Sequence, residues 1–194
     1  NYEVVLENFK KFLEKFDSKE SMINMKVSHS YHVVGLASIL AKRLNLEEEK
    51  VVFAKVLGLL HDLGRFYQYQ ETKEYNDLKT KMDHARTATE YLFQEKYIEN
   101  FNISKKYYKI LEKAIFNHNK LEIESGLTKE ELFWAKFIRD IDKIDILRVC
   151  GTNFSLAFDE HVSKKVKTDF DAHTLVNREN IKNSSDTIIS YLAF

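Results

Sequence analysis

The sequence contains no proline and only five glycines in 194 residues. Proline and glycine supply the tight turns that a succession of short strands requires, so this chain is poorly suited to an all-β sandwich or barrel. Its long stretches rich in Glu, Lys, Leu and Ala have high helix propensity instead. Together these features predict an all-α fold, a single helical bundle of about six to eight helices over residues 1–194. No internal repeat, low-complexity tract or flexible linker interrupts it.

Hydrophobic periodicity places the helices. Val5, Phe9, Phe12, Leu13 and Phe16 recur at helical spacing within Tyr2 to Phe16. Ser21 is positioned to cap a second helix with the stripe Met22, Met25, His29, Val33, Leu36 and Leu40, and Arg43 suits its C-terminal turn. Glu47 to His61 opens with acidic residues, becomes apolar nearly all round and reads as the central helix. From Leu63 to Asp83 the pattern fails and predicts a long functional loop. Further helices are expected over Asp83 to Lys96, Ser104 to His118, Thr128 to about Val149, and Glu179 to Leu192. Gly151 to Lys182 is polar and weakly patterned, and the apolar final segment, Ile188 to Phe194, reads as a truncated end or a dimer contact.

Thirty basic and thirty acidic side chains give a formal net charge of +0, so the chain lacks the positive field that sequence-independent nucleic-acid binding relies on. The longest apolar run, Val51 to Leu60 with Lys55 inside it, is about half of the ~20 residues that span a bilayer. No charged leader with an apolar core opens the sequence. A soluble, cytoplasmic protein that contacts neither membrane nor nucleic acid is the expectation. The one cysteine, Cys150, excludes an intramolecular disulfide and a Cys-rich zinc site, and no cationic cluster activates it.

The histidines are the anomaly. Five of seven, His29, His32, His61, His84 and His118, fall in helical segments, and His29 and His118 lie on core-facing stripes. A single core histidine commonly satisfies a backbone carbonyl; several at once suggest a site. His61-Asp62 directly follows the apolar helix, so a rigid support presents an imidazole and a carboxylate side by side. Such a pair suits a divalent cation, although alone it also fits an ordinary helix end.

Ser28-His29-Ser30-Tyr31-His32-Val33, then Leu59-Leu60-His61-Asp62-Leu63-Gly64-Arg65-Phe66, then Ile141-Asp142-Lys143-Ile144-Asp145 resembles the HD-domain superfamily of metal-dependent phosphohydrolases, whose pattern is H…HD…D. The resemblance covers about residues 22–150, leaving 151–194 as a C-terminal helical extension. It implies His29, His61, Asp62 and Asp142 as metal ligands, with Asp140 a competing choice for the distal one. Members that hold two ions add two histidines, and His84 and His118 stand in those places; the alternatives for this pair are helix-end residues or phosphate ligands. His32 shares a helix face with His29 and suits a supporting or packing role.

The resemblance further implies one or two divalent ions (Mn, Fe, Co, Ni, Zn or Mg) and hydrolysis of a phosphoester or phosphoanhydride by attack of a metal-bound water. The substrate would be a nucleotide or another small phosphorylated metabolite. Asp62 and Arg65 would be catalytic, and Arg65 and Lys143 would contact phosphate, Arg65 through a forked guanidinium unless it pairs with Glu71 or Glu74. Lys81, Arg86 and Lys120 are weaker phosphate candidates. No nucleotide-binding glycine loop appears. The competing reading is a non-catalytic HD-type metal- or nucleotide-binding sensor or interaction module, and a homodimer is compatible with either.

Overall fold

Helix formation dominates as expected: among residues 1–153 and 161–193, which the computed structural model describes, there is no strand. The chain divides into two compact units, residues 1–141 and 142–194, and the division falls inside one long helix. No helix among the described residues is long and apolar enough to cross a membrane.

In the first unit α1 (Tyr2–Leu13) starts where the Asn1 side chain accepts from Glu3 N, and it buries Val5, Phe9 and Phe12. Helix α2 (Ser21–Arg43) buries His29, Val33, Val34, Ala37 and Ala41. Ser21 is its first helical residue and not its cap; Glu20 holds the cap position without a side-chain bond. Helix α3 (Glu48–Leu60) packs beside α2, buried on nearly every face. A Cβ on Gly58 would lie 3.3 Å from the Val33 backbone and side chain, so glycine sets how closely these two helices approach.

The stretch expected to be a loop from Leu63 begins with a short helix, α4 (Leu63–Thr72). Its inner face escaped the hydrophobic pattern because one of its buried positions is Gln68, fully enclosed and used for hydrogen bonds. Phe66 anchors α4, its ring packed at 6.2, 5.8 and 5.5 Å between centroids against Phe9, Phe12 and Phe16. A single helical turn, α5 (Asp77–Thr80), capped by the Asn76 side chain, connects to α6 (His84–Thr89), capped by Asp83. A π-helical turn (Glu90–Gln94) and two 3₁₀ turns lead to α7 (Tyr108–Asn117) and then to α8 (Lys129–Asn153), whose Trp134 packs 4.7 Å from Phe53.

In the second unit α9 (Lys164–Asp171) packs on α10 (Ser184–Leu192). Helix α9 falls within the weakly patterned stretch, of which residues 154–160 lie outside the described residues. The buried Asp186 carboxylate accepts from Ser163 N and Oγ and from Lys182 N, which ties the start of α9 to the start of α10.

Candidate metal centre

The site is built at helix ends. Asp62 occupies the break between α3 and α4, at the cap position of α4, where an aspartate ordinarily accepts from the first-turn N–H groups. Its side chain makes no capping bond. The carboxylate turns instead into a buried cluster of imidazoles. Its Oδ2 lies 3.5 Å from His29 Nε2 and 3.8 Å from His61 Nε2, while its Oδ1 lies 3.4 Å from both His84 Nε2 and His118 Nε2. The two oxygens thus divide the histidines into two pairs. His29, His61 and Asp62 offer ligand atoms within 4.8 Å of one another, and so do Asp62, His84 and His118. All five side chains are buried.

Backbone geometry brings them together. His29 projects from the inner face of α2, His61 and Asp62 end the most buried helix, His84 is the first residue of α6, and His118 caps α7. Gly64 makes the α6 contribution available. A Cβ there would lie 2.0 Å from His84 O and 2.8 Å from Ala88 N, so only glycine lets α4 and α6 meet closely enough to set His84 beside Asp62.

Hydrogen bonds fix the imidazole orientation. His61 Nδ1 bonds to Gly58 O at 2.8 Å and His118 Nδ1 to Ile115 O at 2.6 Å. A carbonyl oxygen can only accept, so in both rings Nδ1 carries the proton and Nε2 offers a lone pair. His84 Nδ1 donates likewise to Asp77 Oδ2 at 2.7 Å. The lone pairs of His84 and His118 then meet at 3.0 Å between Nε2 atoms, beside a carboxylate oxygen. Two acceptors and an anion converging in a buried space is an arrangement that a shared cation relieves, and the donor set fits a divalent transition metal.

Charge around Asp62 acts in the same direction. Burial alone would raise its carboxyl, but Lys26 and the imidazoles outweigh that and hold it well below the usual carboxylate range. Lys26 Nζ contacts Oδ2 at 2.6 Å, from one turn before His29 on α2. Burial, reinforced by the Arg65 charge, pushes the His84 imidazole down to about 3, so this ring stays neutral and able to ligate at ordinary pH.

The remaining residues singled out from sequence fall as follows. Arg65 Nη1 donates to Asp77 Oδ1 at 2.7 Å, to Gln68 Oε1 at 2.6 Å and to the Tyr75 carbonyl, while its Nε lies 3.9 Å from Asp62 Oδ1. Its acidic partner is therefore Asp77, and neither Glu71 nor Glu74. On α8, Asp142 is buried with Lys143 Nζ 3.0 Å from its Oδ2, whereas Asp140 is exposed. Asp145 is buried and paired in a fork with Arg148. His32 is exposed, its Nδ1 2.8 Å from Ser28 O, and so packs on its own helix. Lys120 pairs with Asp83, Lys81 is exposed, and Arg86 lines a separate cleft with Glu90, Lys113 and Phe116. Burial raises the Cys150 thiol, in keeping with an inert cysteine.

Residues 27–147, more than half of the sequence, match the HD domain family. The chain belongs to this family. The matched span of the HD domain contains His29, His61, Asp62, His84, His118 and Asp142. HD domains are generally metal-dependent phosphohydrolases, and some are non-catalytic. No curated protein and no solved structure matches the chain. Lys26 and Asp77 are the contributors that sequence reasoning missed. Lys26 had one available signal, its place three residues before His29 and hence on the same face of α2; Asp77 had none beyond its membership of a polar stretch.

Proposed function

We propose that this HD domain is a metal-dependent phosphohydrolase that cleaves a phosphoester or phosphoanhydride in a nucleotide or another small phosphorylated metabolite. The observation that supports this reading most is the division of four buried imidazoles between the two oxygens of Asp62. This arrangement would let one carboxylate serve two divalent ions. His29, His61 and Asp62 would hold one ion, and Asp62, His84 and His118 the second; the family pattern H…HD…D assigns Asp142 as the distal ligand. Burial of Asp142, with Asp140 exposed, supports Asp142 over Asp140 as the distal ligand. Imidazole and carboxylate donors favour Mn, Fe, Co, Ni or Zn over Mg.

A divalent ion held there would supply Lewis acidity at the phosphoryl group and activate a water. The chain's own residues do the rest. Asp62 stays ionised, would hold the ions and would accept a hydrogen bond from the attacking water. Arg65, anchored through Nη1, would place a fixed positive charge beside the reacting phosphoryl oxygens, and Lys143 is assigned a phosphate contact from the sequence resemblance. No serine, threonine or cysteine nucleophile is required.

Elemental analysis of wild type and Asp62→Asn, purified alike without chelator, tests the reading together with hydrolysis of generic phosphomonoesters, phosphodiesters and nucleotides. Asparagine keeps the shape of the buried side chain. The expected result is one or two ions per chain with turnover in wild type, and a loss of at least about 100-fold in turnover with unchanged far-UV ellipticity in the variant. Metal without turnover of any phosphate ester would favour a binding or sensor module, and no metal uptake from Mn, Fe, Ni or Zn would overturn the metal site.

A further inference from the structure

We propose that Asp77, on the one-turn helix α5, is a positioning residue that determines whether the second metal position fills. The inference rests on the two-ion reading above. Asp77 stands outside the cluster around Asp62 and touches it through a single ring nitrogen. Its Oδ2 accepts from His84 Nδ1 at 2.7 Å and from Asn119 Nδ2 at 3.3 Å, and its Oδ1 accepts from Arg65 Nη1 at 2.7 Å and Gln68 Nε2 at 2.9 Å. Every partner of this carboxylate is a donor. Asp77 therefore requires the proton of His84 to sit on Nδ1, which turns the Nε2 lone pair toward Asp62 Oδ1.

His84 differs here from His61 and His118. Those two rings are oriented by backbone carbonyls of their own helices, Gly58 O and Ile115 O, which no side-chain substitution removes. His84 opens α6 and has no preceding turn to supply a carbonyl. Its orientation depends on a side chain delivered from the connecting segment. That segment is fastened for the purpose: the buried Gln68 amide donates to Asp77 Oδ1, Thr80 Oγ1 and Met82 O, and Asn76 caps α5. A carboxylate behind a ligating imidazole fixes its tautomer and raises its basicity, and losing such a partner weakens metal binding by roughly 10- to 100-fold.

The same carboxylate holds Arg65, so the segment between α4 and α6 sets one metal ligand and one positive charge together. An asparagine at position 77 has one acceptor and one NH₂ group where four donors converge. With its oxygen toward the Arg65 charge, its NH₂ would face His84 Nδ1 and move the ring proton to Nε2, the atom needed for the metal.

Metal-stripped wild type, Asp77→Asn and Asp77→Glu are titrated with Zn and with Mn, and bound ion per chain is counted after desalting. In parallel, long-range ¹H–¹⁵N correlations of the metal-free proteins read which nitrogen of His84 is protonated. The expected result is two ions in wild type and one in Asp77→Asn, with the second affinity reduced about 10- to 100-fold, His84 protonated on Nε2 in that variant alone, and both properties recovered in Asp77→Glu. Two ions at wild-type affinity in Asp77→Asn, or equal loss in the asparagine and glutamate variants, would overturn the proposal and leave the metal site standing. A single ion in wild type would overturn it together with the second half of the two-ion reading.

Discussion

A carboxylate that loses its water on folding must recover the lost interactions from charge and hydrogen bonds, or it takes up a proton. Asp62 recovers them from Lys26 at 2.6 Å and from four imidazoles. The imidazoles in turn must remain neutral to ligate, and for His84 this makes stability depend on pH. Its folded value of about 3 lies below the unfolded value of 6.5, so the unfolded chain gains a proton first as pH falls. The contribution is fully present above pH 6.5 and is lost progressively down to about pH 3, by at most about 1.4 kcal/mol per pH unit. Urea unfolding in chelator is therefore expected to lose about 2 kcal/mol from this residue between pH 6.5 and 5, before most carboxylates titrate. His84→Asn should flatten that part of the curve; parallel curves for the two proteins would contradict the assignment. At this scale the sequence announces the ligating types and conceals their supports. His29, His61 and Asp62 stand in an ordered motif, whereas Lys26 and Asp77 look like any surface charge until folding buries one and aims the other.

Between elements, the deciding contact is one glycine. The Leu63-Gly64-Arg65 step is legible in sequence as part of a motif, but its physical reason is the backbone of α6, 2.0 Å from where a Cβ would be. Backbone on both sides cannot rotate away, so Gly64→Ala must separate α4 from α6. The expected cost is about 3 kcal/mol or more, at or above the usual range for an overpacked core, and displacement of His84 should remove the second ion. Gly35 supplies the opposite case. It lies exposed within α2, and a Cβ added there would meet nothing within 4 Å, so Gly35→Ala should stabilise by about 0.5–1 kcal/mol through helix propensity. Thermal unfolding of the two variants should shift in opposite directions, and a stable Gly64→Ala that binds two ions would refute the close-approach argument. The same boundary shows why α4 was illegible. Its stripe is carried by Leu63, Phe66 and Tyr69, but the buried Gln68 between them serves hydrogen bonds, and a polar residue on an inner face reads as solvent-facing.

For the whole chain, balanced charge makes acid the most revealing perturbant. Neutral overall at pH 7, it becomes strongly positive as its thirty acidic groups protonate. The carboxyls of Asp62, Asp77, Asp83 and Asp186 all lie below their ordinary value in the folded protein: burial opposes this in each, and is outweighed by Lys26, His84, Lys120 and the Ser163 hydrogen bonds respectively. A lowered folded value means that the unfolded chain protonates first, so this stability is present above about pH 4 and is lost as pH falls further. Asp186 places one such group in the second unit, in a segment whose sequence pattern predicted little, because its order comes from side-chain-to-backbone bonds and not from an apolar stripe. Metal should act against the acid effect only while its ligands are available. Saturating Zn or Mn at 100 times Kd adds about 2.7 kcal/mol, and because folded His84 and Asp62 both stay unprotonated down to about pH 4, they should sustain that gain from pH 7 to pH 4 and give it up only in stronger acid. Melting curves with metal and with chelator should therefore stay apart from pH 7 to pH 4, and in Asp62→Asn they should coincide throughout. A metal-dependent shift that survives in Asp62→Asn would place the stabilising ion somewhere other than the histidine cluster.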